Sequence, residues 1–63
     1  MSVGENVRRI RKERGMTQQV LANAVGVSGP MIVQIERGSK VPSIVLGRDI
    51  AAALGVSVED LLK

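Results

Sequence analysis

Apolar residues recur every three or four positions along most of this chain, and nowhere do they alternate with polar residues over the length of a strand. That spacing is typical of amphipathic helices. Glycine stops helices because it adopts positive φ at little cost, and it follows the apolar stretches at Gly15, Gly26, Gly38 and Gly55. The pattern therefore predicts an all-α chain of five helices: a first one running from a Ser2 cap to Arg14, then Gln18–Val25, Gly29–Arg37, Ile44–Leu54 and Val58 to about Leu62.

A residue with a side-chain hydroxyl precedes each predicted helix, as is common at helix N-caps: Ser2, Thr17, Ser28, Ser43 and Ser57. Glu5 stands three residues after Ser2, so the two can form a capping box. Glu59 and Asp60 are suitably placed at the positive end of the last helix. Gly47 lies inside the fourth helix and should weaken it by ~1 kcal/mol relative to Ala, unless it permits a close helix contact.

The stretch 17–36 combines features that are individually common but specific together. Ala22 is small enough for two helices to approach at their crossing, and Gly26 suits a tight turn between them. Apolar residues at helical spacing on both sides of the turn would bury the two helices as one unit. This is the helix-turn-helix signature, in which the second helix is offered to the DNA major groove. A plain helical hairpin is the alternative interpretation.

Composition limits the core and its chemistry. The chain has 63 residues, no aromatic residue and no Cys, so we expect one domain with a small aliphatic core and no disulfide. No apolar run approaches membrane-spanning length, and we expect a soluble, cytoplasmic protein without a membrane partner. On the fourth helix the spacing predicts an inner face of Ile44, Leu46, Ile50, Ala51 and Leu54.

The net charge of +3 is concentrated on the first helix, at Arg8, Arg9, Arg11, Lys12 and Arg14. Such a cluster suits a polyanion, although it is equally typical of a solvated helix face. Arg11 shares the apolar face of this helix with Val7 and Ile10, and a buried charge without a partner is costly. Glu36 is the candidate partner for Arg11; two separate surface charges are the alternative.

The chain as a whole resembles the phage repressor and Cro-like (XRE-type) helix-turn-helix family. The resemblance rests on the segments VRRIR at 7–11, MTQ at 16–18, LA at 21–22, GVS at 26–28, IERG at 35–38, PS at 42–43 and ALGVS at 53–57, together with Ile32. It implies a five-helix DNA-binding domain over residues 1–63, with the helix-turn-helix at 17–37 and the recognition helix at about 28–37. It further implies a homodimer on a two-fold-symmetric operator in double-stranded DNA.

Carried over position by position, the resemblance implies DNA contacts from Thr17, Gln18, Ser28, Gly29, Pro30, Met31, Val33, Gln34, Arg37, Ser39 and Lys40. Gln18 would hold a phosphate and brace the recognition helix, and Gln34 could pair with adenine. Met31 or Val33 could contact a thymine methyl group. We expect the dimer contact near the start of the fourth helix and in the last helix, with Val56, Val58, Leu61 and Leu62.

Two departures from the family pattern stand out. Val20 occupies a position where the family often has Glu, which removes a capping-box partner for Thr17. The outer face of the third helix offers Gly29, Pro30, Met31 and Val33 where polar residues are usual, so only Ser28 and Gln34 on it can hydrogen-bond a base.

The function predicted is that of a transcriptional regulator, most simply a repressor. The alternative is a protein-interaction module, such as an antitoxin or adaptor, that uses the recognition-helix face. An enzyme is the least favoured class, because the chain has no His, Cys or Tyr and its carboxylates are scattered. We expect no cofactor, no metal and no small-molecule ligand.

Overall fold

The computed structural model of the protein describes residues 2–63. Its helices are α1 (Val3–Glu13), α2 (Gln18–Val25), α3 (Gly29–Arg37), α4 (Ile44–Leu54) and α5 (Val58–Leu62), and the described part of the chain contains no strand. The all-α, five-helix prediction is confirmed. Only the end of α1 differs, because Arg14 is its C-cap rather than its last helical residue.

Local hydrogen bonds explain why the helices begin and end where they do. Each predicted cap accepts a bond from a backbone N–H in the first turn, for example Val20 N to Thr17 Oγ1 at 3.0 Å and Leu46 N to Ser43 Oγ at 3.1 Å. Gly26 follows α2 with a φ of 75°, a left-handed conformation that ends the helix and turns the chain towards α3.

The start of α1 carries the predicted capping box, and α5 carries a second one. Ser2 N donates to Glu5 Oε1 at 2.9 Å, and Glu5 N donates back to Ser2 Oγ at 3.1 Å. Ser57 N similarly donates to Asp60 Oδ2 at 3.1 Å. The backbone bond from Ser2 lowers the pKa of Glu5, and the backbone bond from Ser57 lowers the pKa of Asp60.

The core is aliphatic and draws on every helix: Val7, Ile10, Leu21, Ala22, Ile32, Ile35, Ile50, Ala51, Leu54 and Leu61. The helix α3 packs between α1 and α2, while α4 packs on α2 and α5 packs on α1 and α4. This arrangement supports one side of α3 over its whole length and leaves the other side open. None of the helices in the described residues is long and apolar enough to cross a membrane.

Leu61, which is predicted to be partly involved in a dimer contact, packs in the core and is only 2% exposed. One side-chain placement predicted from the sequence is wrong. Ile44, which is predicted on the inner face of α4, is 84% exposed, because it lies about 120° around the helix from the buried Ile50.

Helices α1 and α3 approach each other closely at Gly4, a residue that the sequence did not single out. A Cβ at this position would clash with the backbone carbonyl oxygen of Ile35, so α1 can cross α3 here only without a side chain. Ala22 is fully buried, as its position at a helix crossing requires. At Gly47, in contrast, an added Cβ would meet no atom of another segment within 4 Å, so no close helix contact requires glycine there.

Candidate nucleic-acid interface

The open side of α3 forms a groove with α2. It has a volume of about 540 Å³ and is lined by Gln18, Gln19, Gly29, Pro30, Val33, Gln34 and Arg37. Three side-chain amides and one guanidinium are its polar groups, and no carboxylate lines it. The groove can therefore donate and accept hydrogen bonds and attract an anion along one edge.

An inner ion pair fixes α3 relative to the rest of the domain. Arg11 Nε lies 2.7 Å from Glu36 Oε2, and Arg11 Nη2 donates to Glu36 Oε1 at 3.1 Å. Arg11 Nη1 also donates to the carbonyl oxygen of Met16 at 2.7 Å, just before α2 begins. The predicted contact is thus present as a two-pronged pair, and the side chains are only 8% and 1% exposed. Such geometry holds both partners in one orientation.

Gln18 links this pair to the groove. Its Nε2 donates to Glu36 Oε1 at 3.1 Å, so the start of α2 is tied to the end of α3. This is the bracing contact expected of Gln18. Since Arg11 neutralises Glu36, the carboxylate behind the groove does not oppose an anion in front of it.

The structure brings most of the predicted DNA-contacting residues to one surface, but with different availability. The hydroxyl oxygens of Thr17 and Ser28 accept the capping bonds of α2 and α3, although each O–H can still donate to another acceptor. Met31 is half-buried and packs against the core instead of lining the groove. Ser39 and Lys40 follow α3 in an exposed turn, in which both backbone N–H groups donate to the Gln34 carbonyl oxygen.

Gln19 lines the groove but was missed in the sequence. Its Nε2 donates to Asn23 Oδ1 at 2.9 Å, one turn further along α2. Its Oε1 would lie 2.6 Å from a Cβ built on Gly29, so the amide occupies the space beside the first residue of α3. The only signal in the sequence was the unusual glycine at position 29, which gives no hint of the residue that fills the space.

A second concave surface lies at the start of α4. This cleft of about 220 Å³ is almost wholly apolar and is lined by Val3, Val41, Pro42, Ser43, Ile44, Gly47, Val58, Leu61 and Leu62. Around it, Val41, Ile44, Val45 and Leu62 are between 65% and 85% exposed. It shares no lining residue with the groove between α2 and α3. In residues 2–63 we find no group of acidic side chains that could hold a metal ion.

Residues 7–61 match the family model described as helix-turn-helix. The chain is 38% identical over 58 residues to the uncharacterised HTH-type transcriptional regulator YazB of Bacillus subtilis, covering 92% of this chain and 84% of YazB. The fold is similar to that of the P22 c2 repressor solved in complex with a synthetic operator, with a TM-score of 0.94, 35% identity and coverage of 100% and 96% of the two chains. It is also similar to the biofilm regulator SinR solved in complex with DNA, with a TM-score of 0.90, 35% identity and coverage of 97% and 98%.

Proposed function

The chain belongs to the helix-turn-helix family of DNA-binding transcriptional regulators, a non-enzymatic family, and we propose that it represses transcription as a homodimer on a two-fold-symmetric operator. Residues 1–63 would act as one DNA-binding domain, with the helix-turn-helix at 17–37 and α3 as the recognition helix. The observation that carries this proposal is the groove between α2 and α3, whose polar lining consists of amides and a guanidinium without a carboxylate.

Duplex DNA would meet this surface in two ways. Gln34 is exposed in the groove and carries the amide that can pair bidentately with adenine in the major groove. Val33 beside it offers an apolar contact to a thymine methyl group, whereas Met31 is held largely by the core. Arg37, Ser39 and Lys40 would contact phosphates, together with Thr17 and Gln18 at the start of α2. Ser28 at the start of α3 would face a base edge with its O–H.

The apolar cleft supports the proposed dimer. Its chemistry suits a second copy of the chain, because an exposed apolar surface of this kind is best removed from water by another protein. The expected contact residues Val56 and Val58 are half-buried and Leu62 is exposed, and Leu61, although only 2% exposed, lines the cleft. We therefore place the centre of the contact at Val41, Ile44, Val45 and Leu62.

The alternative of a protein-interaction module on the recognition-helix face receives less support. It needs an exposed apolar patch on α3, yet both Met31 and Val33 are half-buried. The strongly exposed aliphatic side chains cluster instead at the start of α4 and the end of α5.

Selection of bound sequences from random duplex DNA, followed by titration of the selected duplex at several salt concentrations, tests the proposal. We expect a pseudo-palindrome whose half-sites lie ~34 Å apart, and an association constant that falls steeply as salt rises. Failure to enrich any sequence, or binding that does not respond to salt, would reject it. A single enriched half-site without a symmetric partner would reject the homodimer alone.

A further inference from the structure

The recognition surface is short of free polar groups. The Ser28 oxygen accepts a bond from Met31 N at 3.2 Å, and the Gln18 amide donates to Glu36 at 3.1 Å. On the outer face of α3, Gly29 and Pro30 offer no side-chain donor or acceptor. Gln34 is left as the amide on α3 that is free to meet a base edge, which is little for a domain that must select one sequence.

Gln19 on α2 supplies a further amide at the same groove. It is exposed, and the bond from its Nε2 to Asn23 Oδ1 at 2.9 Å uses one of its two amide hydrogens and orients the group. Its Oε1 has no hydrogen-bond partner among the described residues and keeps both lone pairs for an incoming donor.

The position of this oxygen depends on the glycine that begins α3. A Cβ on Gly29 would stand 2.6 Å from Gln19 Oε1, well inside contact distance, so any other residue at 29 would displace the amide. The backbone φ of Gly29 is not in the left-handed region, so the conformation of the chain does not require glycine there. Space for Gln19 is what the glycine provides.

We propose that Gln19 is a specificity-determining residue whose amide stands in for the missing side chain at position 29 and accepts a hydrogen bond from a base amino group in the major groove. This rests on the proposed function, because it assumes that the start of α3 faces base edges. Exposed amino groups in the major groove belong to adenine N6 and cytosine N4, and an acceptor distinguishes both from guanine and thymine.

The first test repeats the selection with Gln19→Ala. One base pair per half-site, occupied by adenine or cytosine on the strand that faces Gln19, should lose its preference, and the affinity for the native site should fall roughly 5- to 100-fold. The salt slope should not change, because a neutral acceptor does not neutralise a phosphate. Val20→Ala is the matched control: Val20 is the next residue on α2, is exposed and does not line the groove.

The second test asks whether Gln19 acts through the space at position 29. Gly29→Ala should by itself weaken the same base preference, and adding Gln19→Ala to it should cost less than twofold more. Replacing the identified adenine by purine, or the cytosine by 2-pyrimidinone, removes the amino group and should abolish the effect of Gln19→Ala. Thermal unfolding should be the same for Gln19→Ala and the native chain, which separates readout from folding.

An unchanged base preference in Gln19→Ala, or an equal loss with and without the Gly29→Ala background, would overturn the inference while leaving DNA binding itself in place. A native chain that enriches no DNA sequence would overturn both the proposed function and this inference.

Discussion

The two concave surfaces of this small domain have opposite chemistry. The groove between α2 and α3 carries three amides and a guanidinium beside Gly29, Pro30 and Val33, whereas the cleft at the start of α4 is lined almost entirely by apolar groups. Each surface has a buried polar contact behind it. The Arg11–Glu36 ion pair joins α1 to α3 behind the groove, and behind the cleft Asn6 on α1 donates to the Leu61 carbonyl oxygen on α5 at 2.9 Å. The ion pair places two charges out of water, so its loss should cost more than the loss of a neutral hydrogen bond.

The largest expected effect concerns the support of the groove. Replacing Arg11 or Glu36 alone with Ala should lower the free energy of unfolding by ~3–5 kcal/mol, because the remaining charge stays buried without a partner. A chain of this length should have a total of only ~3–9 kcal/mol, so either change should remove a large share of the stability. Urea unfolding followed by circular dichroism measures the change.

The exposed Arg9–Glu13 pair is the matched control for the inner pair. Arg9→Ala should cost less than ~1 kcal/mol, as exposed ion pairs generally do. Changing Arg11 and Glu36 together to Met and Leu should recover much of the loss. Additive effects below ~1 kcal/mol at both inner positions would show that the pair behaves as surface charges.

Alanine substitutions at two helical glycines should change the stability in opposite directions, because Gly4 lies at the α1–α3 crossing and Gly47 lines the cleft. Gly4→Ala should destabilise by ~1–3 kcal/mol, because the new methyl group would push α1 away from the Ile35 carbonyl. Gly47→Ala should instead stabilise by ~0.5–1 kcal/mol, because a Cβ there meets no atom within 4 Å. Thermal unfolding of both variants gives the comparison. The same sign for both changes would mean that the helix crossing is looser than described.

Two variants separate base reading from phosphate attraction within the polar surface. Gln34→Ala should cost ~1–3 kcal/mol at one base pair of the selected site and leave the other positions unchanged. Lys40→Ala should weaken binding to all duplexes alike and reduce the salt slope by ~0.9, one phosphate's share. Titrations of selected and scrambled duplexes measure both effects. Uniform weakening by Gln34→Ala, or a base-specific loss from Lys40→Ala, would reverse the two roles.

The smallest expected effect concerns the capping boxes beside the cleft. Hydrogen bonds from Ser2 and Ser57 lower the pKa of Glu5 and Asp60 in the folded chain. The stabilisation from these ionised carboxylates is therefore fully present above the unfolded-state pKa values of 4.5 and 3.8. It is lost as the pH falls through the lowered folded values. The melting temperature should therefore depend less on pH, between pH 5 and pH 2, in the double variant Glu5→Gln/Asp60→Asn.

Glu59→Gln is the control for this comparison, because Glu59 is exposed in the same first turn of α5 and forms no capping box. Its melting curve should follow that of the native chain throughout the acid range. If the melting temperature of the double variant depended on pH as strongly as that of the native chain, the capping boxes would not be the source of that dependence.

The helix boundaries could be predicted because their causes are local. A hydroxyl cap and a glycine stop act within a few residues, and the bounds of α2, α3 and α4 follow from them. The inner ion pair was also predictable, since a charge on an apolar face requires a partner. That requirement limits the choice to a few residues of opposite charge even when they are far apart in sequence.

The features that could not be predicted depend mostly on contacts between distant segments. The burial of Leu61 is one of them, because Asn6, 55 residues away, donates to the Leu61 carbonyl oxygen at 2.9 Å and so ties α5 to α1. Ile44 is a different kind of error, because it lies six residues before Ile50, about 120° around the helix, and so stands at the edge of the buried face rather than on it. The roles of Gly4 and Gln19 could not be predicted, because each depends on a neighbour contributed by another helix.

We propose that the groove binds one half-site and that the cleft joins two copies of the chain. Titration of two duplexes, one with a single half-site and one with the complete selected site, tests these two roles most directly. It compares the native chain with Gln34→Ala in the groove and Ile44→Asp in the cleft. We expect Gln34→Ala to lose affinity for the single half-site and to keep the gain in affinity from the second one. Ile44→Asp should keep the half-site affinity and lose that gain. The opposite assignment, or loss of half-site affinity in Ile44→Asp with unchanged thermal unfolding, would contradict the account.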